Sequence, residues 1–285
     1  MKIIDHRLFK DDDTPYPFVE SPNVGDSVQH EYLVMHYTAG RDAEGAVSWL
    51  TNPVAQASAH LVIGRNASIT QLVPFDTVAW HAGVSVWEGR VGLNRYSIGI
   101  ELDNAGRLIR LRDVRVDHGS QWRAWFGVEY DDSQVIEAVH KNETEPSGWH
   151  IYTPEQIEVA LEVASLLVAE YDLFDVIGHD DIAPRRKSDP GPAFPMQSFR
   201  ARVLGRRADE EVQYETIVVL NIRTGPGTQH QTIPGSPLPV GTGVEIVDRK
   251  GSWALVDVLG VVSDVMDMQG WVHTRYIRRV APGCP

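Results

Sequence analysis

Val176-Ile177-Gly178-His179-Asp180-Asp181-Ile182-Ala183-Pro184-Arg185-Arg186-Lys187-Ser188-Asp189-Pro190-Gly191 begins as a short apolar strand and becomes a loop dense in ligand-type side chains. A continuous helix would hold His179 and Asp189 roughly 15 Å apart. Pro184 and Pro190 forbid one helix and bias the residues before them towards extended backbone. A folded-back loop can therefore bring an imidazole, the Lys187 ammonium and a carboxylate onto one centre. Imidazole with carboxylate is ordinary zinc chemistry, and a catalytic zinc takes three protein ligands with one position open. The third ligand has to come from another part of the chain.

Working outward, Thr153-Pro154-Glu155-Gln156 opens a helix: Thr153 is the N-cap, Pro154 the first position, and Gln156 can close a capping box. Its apolar face runs through Ile157, Leu161, Ala164, Leu167 and Val168 to about Tyr171. Further upstream, residues 31–38 read as a buried strand, 43–50 as a short helix, 59–63 and 69–73 as a hairpin, and 97–102 as a third apolar strand. Strands alternating with helices predict an α/β fold with a mixed central β-sheet flanked by helices. Metal sites in such sheets collect at strand ends, and His36, Glu101 and His179 all fall at or near one.

Residues 104–150 differ: they are polar, carry Trp122, Trp125 and Trp149, and show no sustained period. They read as an insert over the sheet or a lid, the tryptophans either stacking on sugar rings or forming a satellite core. The chain changes character again near residue 205. A catalytic domain over 1–205, a charged linker over 206–212 and a β-rich domain over 213–281 are expected. In the last, short runs over 216–223, 243–248, 252–258 and 270–277 are punctuated by Gly and Pro, the pattern of a small all-β barrel.

Composition narrows the function. The 285 residues carry a net charge of −13, which disfavours nucleic acid as a partner. No apolar run reaches the roughly 20 residues of a membrane span. Met1-Lys2-Ile3-Ile4-Asp5-His6 shows no secretory signal, so the expectation is a protein cytoplasmic as synthesised, reaching a wall by lysis or a non-classical export route. The single cysteine, Cys284, precludes an internal disulfide and leaves metal binding to His and carboxylate.

The set Leu33-Val34-Met35-His36-Tyr37-Thr38, Ala57-Ser58-Ala59-His60, Ala79-Trp80-His81-Ala82-Gly83, Ser97-Ile98-Gly99-Ile100-Glu101-Leu102 and Gly178 to Gly191 resembles the zinc-dependent N-acetylmuramoyl-L-alanine amidases. These amidases share a superfamily with the peptidoglycan-recognition proteins. The match spans roughly residues 28–200 in order, apart from the insert. The resemblance implies a Zn2+ cofactor held by His36, His179 and Asp189, with Glu101 as the catalytic glutamate and Lys187 as the lysine that stabilises the transition state. It also implies peptidoglycan or a muropeptide as substrate, cut between the lactyl carbonyl of N-acetylmuramic acid and L-alanine. Zinc acidifies water, Glu101 would accept its proton and pass it to the leaving amine, and Lys187 would face the oxyanion.

Tyr37, His60, Trp80 and His81 are candidate substrate contacts, or equally hydrogen-bond partners behind the ligands. His6, His30, His118, His140, His150, His230 and His273 have no spacing that argues for metal and read as surface or structural. Leu220-Asn221-Ile222-Arg223-Thr224-Gly225-Pro226-Gly227-Thr228, with Trp253 and Trp271 beyond it, resembles bacterial SH3-like modules, which implies a barrel that either targets the wall or only packs. Two other functions compete with the zinc amidase: a non-catalytic peptidoglycan-binding protein of the same fold, and a metallopeptidase cutting another amide of the stem peptide.

Overall fold

The computed structural model describes residues 1–111, 120–204, 213–259, 262, 263, 265 and 268–280. The expected linker over 206–212, His118 and Cys284 lie outside them. The chain divides into two compact units, one of Met1–Gly83 with Gly92–Gly205, the other of Val84–Val91 with Arg206–Pro285.

In the first unit the strands Asp175–Gly178, Tyr32–Tyr37, Ser97–Leu102 and Leu61–Ile63 run parallel in that spatial order, and Ile69–Gln71 closes the edge antiparallel. This is the mixed sheet with helices that the alternating pattern predicts. Strands buried on both faces need apolar residues throughout. The two faces nevertheless differ. Leu33, Met35, Ile98, Ile100 and Leu102 pack with Ala160, Val163, Ala164 and Leu167 of the helix Pro154–Tyr171. On the other face Val62 joins Ala59, Leu72, Val73 and Ala79 beneath Ala46 and Leu50 of the helix Ala43–Leu50, which Asp42 caps.

Thr153 caps the long helix as expected, its hydroxyl accepting from the Gln156 N–H at 3.1 Å. Gln156 does not close a capping box. Its side chain is wholly buried and donates to the Ile63 and Asp103 carbonyls, both at 3.0 Å. The Asp103 carbonyl at the strand end gains a partner in this way, and the Ile63 carbonyl, which already accepts from the Asp103 N–H at 2.8 Å, gains a second.

The described residues of 104–150 are more regular than their lack of period suggests. They contribute a second five-stranded sheet, in the order Glu129–Asp131, Ser120–Arg123, Arg107–Arg110, Pro146–His150 and Val135–Val139, every described pairing antiparallel. Its small core is Ala105, Leu108, Trp122, Ala124 and Tyr130. Strands this short, with a register shift between Ser120 and Trp122, give no readable alternation.

The second unit carries five antiparallel strands, ordered Gln269–His273, Trp253–Val258, Gly243–Lys250, Gln213–Thr216 and Ile277–Arg279. Tyr214, Ile222, Leu238, Val244, Val256 and Val272 are among its core. The strand expected over 216–223 ends at Thr216. Beyond it, Leu220 bridges to Leu238, and Arg223 to Thr232 and Trp271, so the segment changes partners before a ladder can form. The hairpin within Val84–Val91 belongs to this unit, with Trp87 buried and Glu88 accepting from Arg249 at 2.5 Å. No helix among the described residues is long and apolar enough to cross a membrane.

Candidate metal centre

Register assembles most of the site. Parallel pairing sets Glu101 directly opposite His36, and Gly178 opposite Met35, so that His179 follows one step on. Adjacent strands lie about 4.8 Å apart. Three separate segments thus converge at the carboxyl end of the sheet. Because side chains alternate, His36 and Glu101 share the face opposite the long helix, where Met35 and Ile100 pack.

Asp189 arrives by loop closure. Asp181 accepts from the Gly178 N–H at 2.8 Å, the Asp180 N–H donates to the Asp189 carbonyl at 2.8 Å, and the Lys187 N–H donates to the Ala183 carbonyl at 2.9 Å. These bonds fold the loop back on itself, as its prolines predict. His36 Nδ1, His179 Nδ1 and Asp189 Oδ2 then form a triangle with every edge 2.9 Å. All three residues are buried. Among the described residues, this is the cluster able to hold a metal ion.

The outer nitrogens fix the tautomers. His179 Nε2 lies 3.1 Å from the Ala82 carbonyl, which can only accept, so this nitrogen carries the proton and Nδ1 is bare. His36 Nε2 lies 2.9 Å from His81 Nδ1, and His81 Nε2 lies 3.3 Å from the Ser97 carbonyl. His81 therefore donates to Ser97 and accepts from His36, which leaves His36 Nδ1 bare as well. Burial keeps His36 neutral by lowering its pKa to about 4. Three acceptor lone pairs aimed at one point are a cation's donor set. Tetrahedral zinc, at about 2.0–2.2 Å from N and O ligands, spaces them by roughly 3.3 Å, so the residues fit that ion closely.

Glu101 adds a carboxyl whose Oε2 is buried without a hydrogen-bond partner. Burial raises its pKa to about 8, the Asp189 charge adds to the rise, and Lys187 opposes it. Lys187 is half-buried and close enough to act electrostatically on both Glu101 and His36.

The remaining candidates have different surroundings. Tyr37 is partly buried against the long-helix core, and its hydroxyl meets Ser188 Oγ at 2.7 Å, beside Asp189. His60 is wholly buried, donating from Nε2 to the Thr77 carbonyl at 2.9 Å and accepting at Nδ1 from the Gly99 N–H at 3.0 Å. Both its ring nitrogens are thus taken by backbone. Trp80 is half-exposed, its N–H held by Ser58 Oγ at 2.8 Å. His81 stands behind His36.

Sequence reasoning missed what supports these groups. Asn94 Oδ1 accepts from the N–H groups of both His81 and Ala82, at 3.1 and 2.6 Å. Gly99 is needed because a Cβ there would lie 2.4 Å from the His81 ring. His140 and Lys141 of the insert bind Asp180 and Asp181, at 3.0 and 2.6 Å, bracing the turn that opens with His179. A glycine inside an apolar strand was the one visible signal, since it marks a close approach.

An α/β unit with a two-histidine, one-carboxylate centre at the carboxyl end of its sheet has the makings of a metallohydrolase. Residues 26–192 of the 285, more than half, match the family described as N-acetylmuramoyl-L-alanine amidase, and the chain belongs to that family. It is 33% identical over 188 residues to the N-acetylmuramoyl-L-alanine amidase AmiD of Escherichia coli K12, covering 63% of this chain and 55% of that protein. It is 34% identical over 157 residues to the 1,6-anhydro-N-acetylmuramyl-L-alanine amidase AmpD of Enterobacter cloacae, covering 54% and 61%. The chain thus spans little more than half the length of these curated relatives. One solved structure, the E. coli AmiD complex with the substrate anhydro-N-acetylmuramic acid-L-Ala-D-gamma-Glu-L-Lys, is 28% identical, with a TM-score of 0.46 and coverage of 76% of this chain and 75% of that one.

Proposed function

We propose that this chain is a zinc-dependent amidase that hydrolyses the bond between N-acetylmuramic acid and L-alanine in peptidoglycan or muropeptides. The observation that carries the reading is the triangle of unprotonated acceptors, with an unpartnered carboxyl and an ammonium beside it. Zinc, when bound, supplies Lewis acidity that acidifies water and polarises a carbonyl. His36, His179 and Asp189 would hold it. Glu101 Oε2 would take a proton from the attacking water and return it to the leaving L-alanine nitrogen. The Lys187 ammonium would stabilise charge developing on the lactyl carbonyl oxygen.

The test is release of free L-alanine amine from purified murein, with and without a chelator. Release that stops on chelation and returns with zinc is expected. No release by zinc-loaded protein would overturn the proposal. Product masses showing cleavage within the stem peptide, with the lactyl amide intact, would replace it by a metallopeptidase.

His81 would then fix the ligand tautomer of His36, a task that elsewhere is worth 10–100-fold in metal affinity. Gly99→Ala is expected to push the His81 ring aside and weaken zinc binding by about that factor while all three ligands remain. Competition against a metal indicator measures it, and unchanged affinity would show that His81 is dispensable to the centre.

We read residues 213–281, which make up most of the second unit, as the SH3-like barrel that targets the enzyme to wall polymer, after a catalytic domain over 1–205 and a linker over 206–212. Its five antiparallel strands, with Trp253 and Trp271 on two of them, support this.

A further inference from the structure

The three tryptophans of the insert have unlike surroundings. Trp122 and Trp149 are buried, with indoles donating to Asp132 at 2.9 Å and the Ala138 carbonyl at 3.0 Å. They hold the insert together. Trp125 is 75% exposed, yet its ring is not free to swing: Nε1 donates to the Ala39 carbonyl at 2.7 Å, and Phe126 stands edge-on with ring centres 5.7 Å apart.

The backbone beneath Trp125 is fixed as well. The Gly127 N–H donates to the Ala124 carbonyl and the Ala124 N–H to that of Val128, both at 2.9 Å, with Gly127 at φ +88°. This is a tight hairpin turn that needs glycine at its left-handed position. Phe126 packs on the insert's core, while Trp125 beside it turns outwards.

Ala39 lies three residues beyond His36, and three residues of chain reach at most about 11 Å. The indole is thus tethered by its edge near the candidate metal centre, with its surface left to water. An aromatic face is electron-rich and apolar, and it attracts the weakly positive C–H groups lining one side of a pyranose ring.

We propose that Trp125 is a stacking subsite for an N-acetylhexosamine ring of the glycan, adjoining the muramic acid whose amide is cut. The proposal rests on the amidase reading for its choice of sugar. It makes the insert a specificity element, favouring substrates whose muramic acid carries further glycan residues over a muramoyl-peptide with none.

Binding can be tested apart from turnover, because a peptide-free β-1,4-linked N-acetylglucosamine tetramer contains no lactyl amide. NMR titration of the full chain with this tetramer is expected to show saturable binding and to move the indole N–H signal that is missing in Trp125→Phe. Trp125→Ala should weaken the Kd about tenfold, roughly 1.4 kcal/mol, and Trp125→Phe should retain most of the affinity. Absence of saturable binding by the parent, or equal Kd values for parent and Trp125→Ala, would overturn the subsite whatever the enzyme cleaves. On glycan-containing murein, Trp125→Ala should raise KM about tenfold with kcat unchanged. A fall in kcat at constant KM would instead assign Trp125 a structural role and overturn the proposal.

Discussion

Asp189→Ala is expected to give a folded protein that binds no zinc at micromolar concentration and releases amine from murein at least about 1,000-fold more slowly, a loss of roughly 4 kcal/mol in transition-state stabilisation. Asp189 supplies the anionic donor of the triangle, and its departure leaves two imidazoles facing each other. The loop should survive, because the bond that closes it runs from the Asp180 N–H to the Asp189 backbone carbonyl and not to the side chain. Metal content per chain and thermal melting separate the outcomes. Added zinc should raise the melting temperature of the parent, since a ligand that binds only the folded state stabilises it, and should leave the variant unmoved. A variant with one zinc per chain and activity within tenfold of the parent would remove Asp189 from the centre.

Glu101→Gln is expected to keep zinc and lose about 10²–10⁴ in turnover, the usual contribution of a general base. The amide matches the shape of the carboxyl but cannot accept and return a proton. The same change has a second readout in metal-free protein. Burial raises the Glu101 pKa to about 8 from an ordinary 4.5, so between these values the folded state binds the proton more tightly than the unfolded state does. The stability this contributes is fully present below about 4.5 and is lost as the pH rises through about 8. The Gln variant has no such dependence. Urea unfolding of the metal-free proteins should therefore show the variant gaining on the parent between pH 5 and pH 9. A gap that stays constant across this range would mean that Glu101 is not buried as a carboxyl.

The residues at strand ends were legible in the sequence because two periods, one of strand and one of helix, met at known positions. His36 closes an apolar run, Glu101 nearly closes another, and His179 follows a third. The cap at Thr153 and the helix to Tyr171 were legible for the same reason. What escaped depended on contacts between distant segments. Gln156 has the right type and spacing for a capping box, yet the Ile63 and Asp103 carbonyls at the sheet's end claim its amide. His81 is one histidine among eleven until Gly99 opens room for its ring beside His36. The insert hid its sheet because its strands are short, and because Trp122 rests against Gly148, a residue with no side chain to register in a hydrophobic pattern. The hairpin within Val84–Val91 sits in the middle of the family match but belongs to the second unit, a partnership that local pattern cannot express.

The division of labour between the two faces of the central sheet bears on how this chain can change over generations. Along 33–36 and 98–101, neighbouring positions answer alternately to packing and to chemistry: Leu33, Met35, Ile98 and Ile100 to the long helix, His36, Gly99 and Glu101 to the centre. A drift in core composition can proceed on one side while the reactive geometry stands still on the other. The peptide backbone is the shared partition, and a one-residue insertion in either strand would exchange the two sets at a stroke. Changes on the packing face can thus be separated from the reactive face, whereas a change of register disturbs both together.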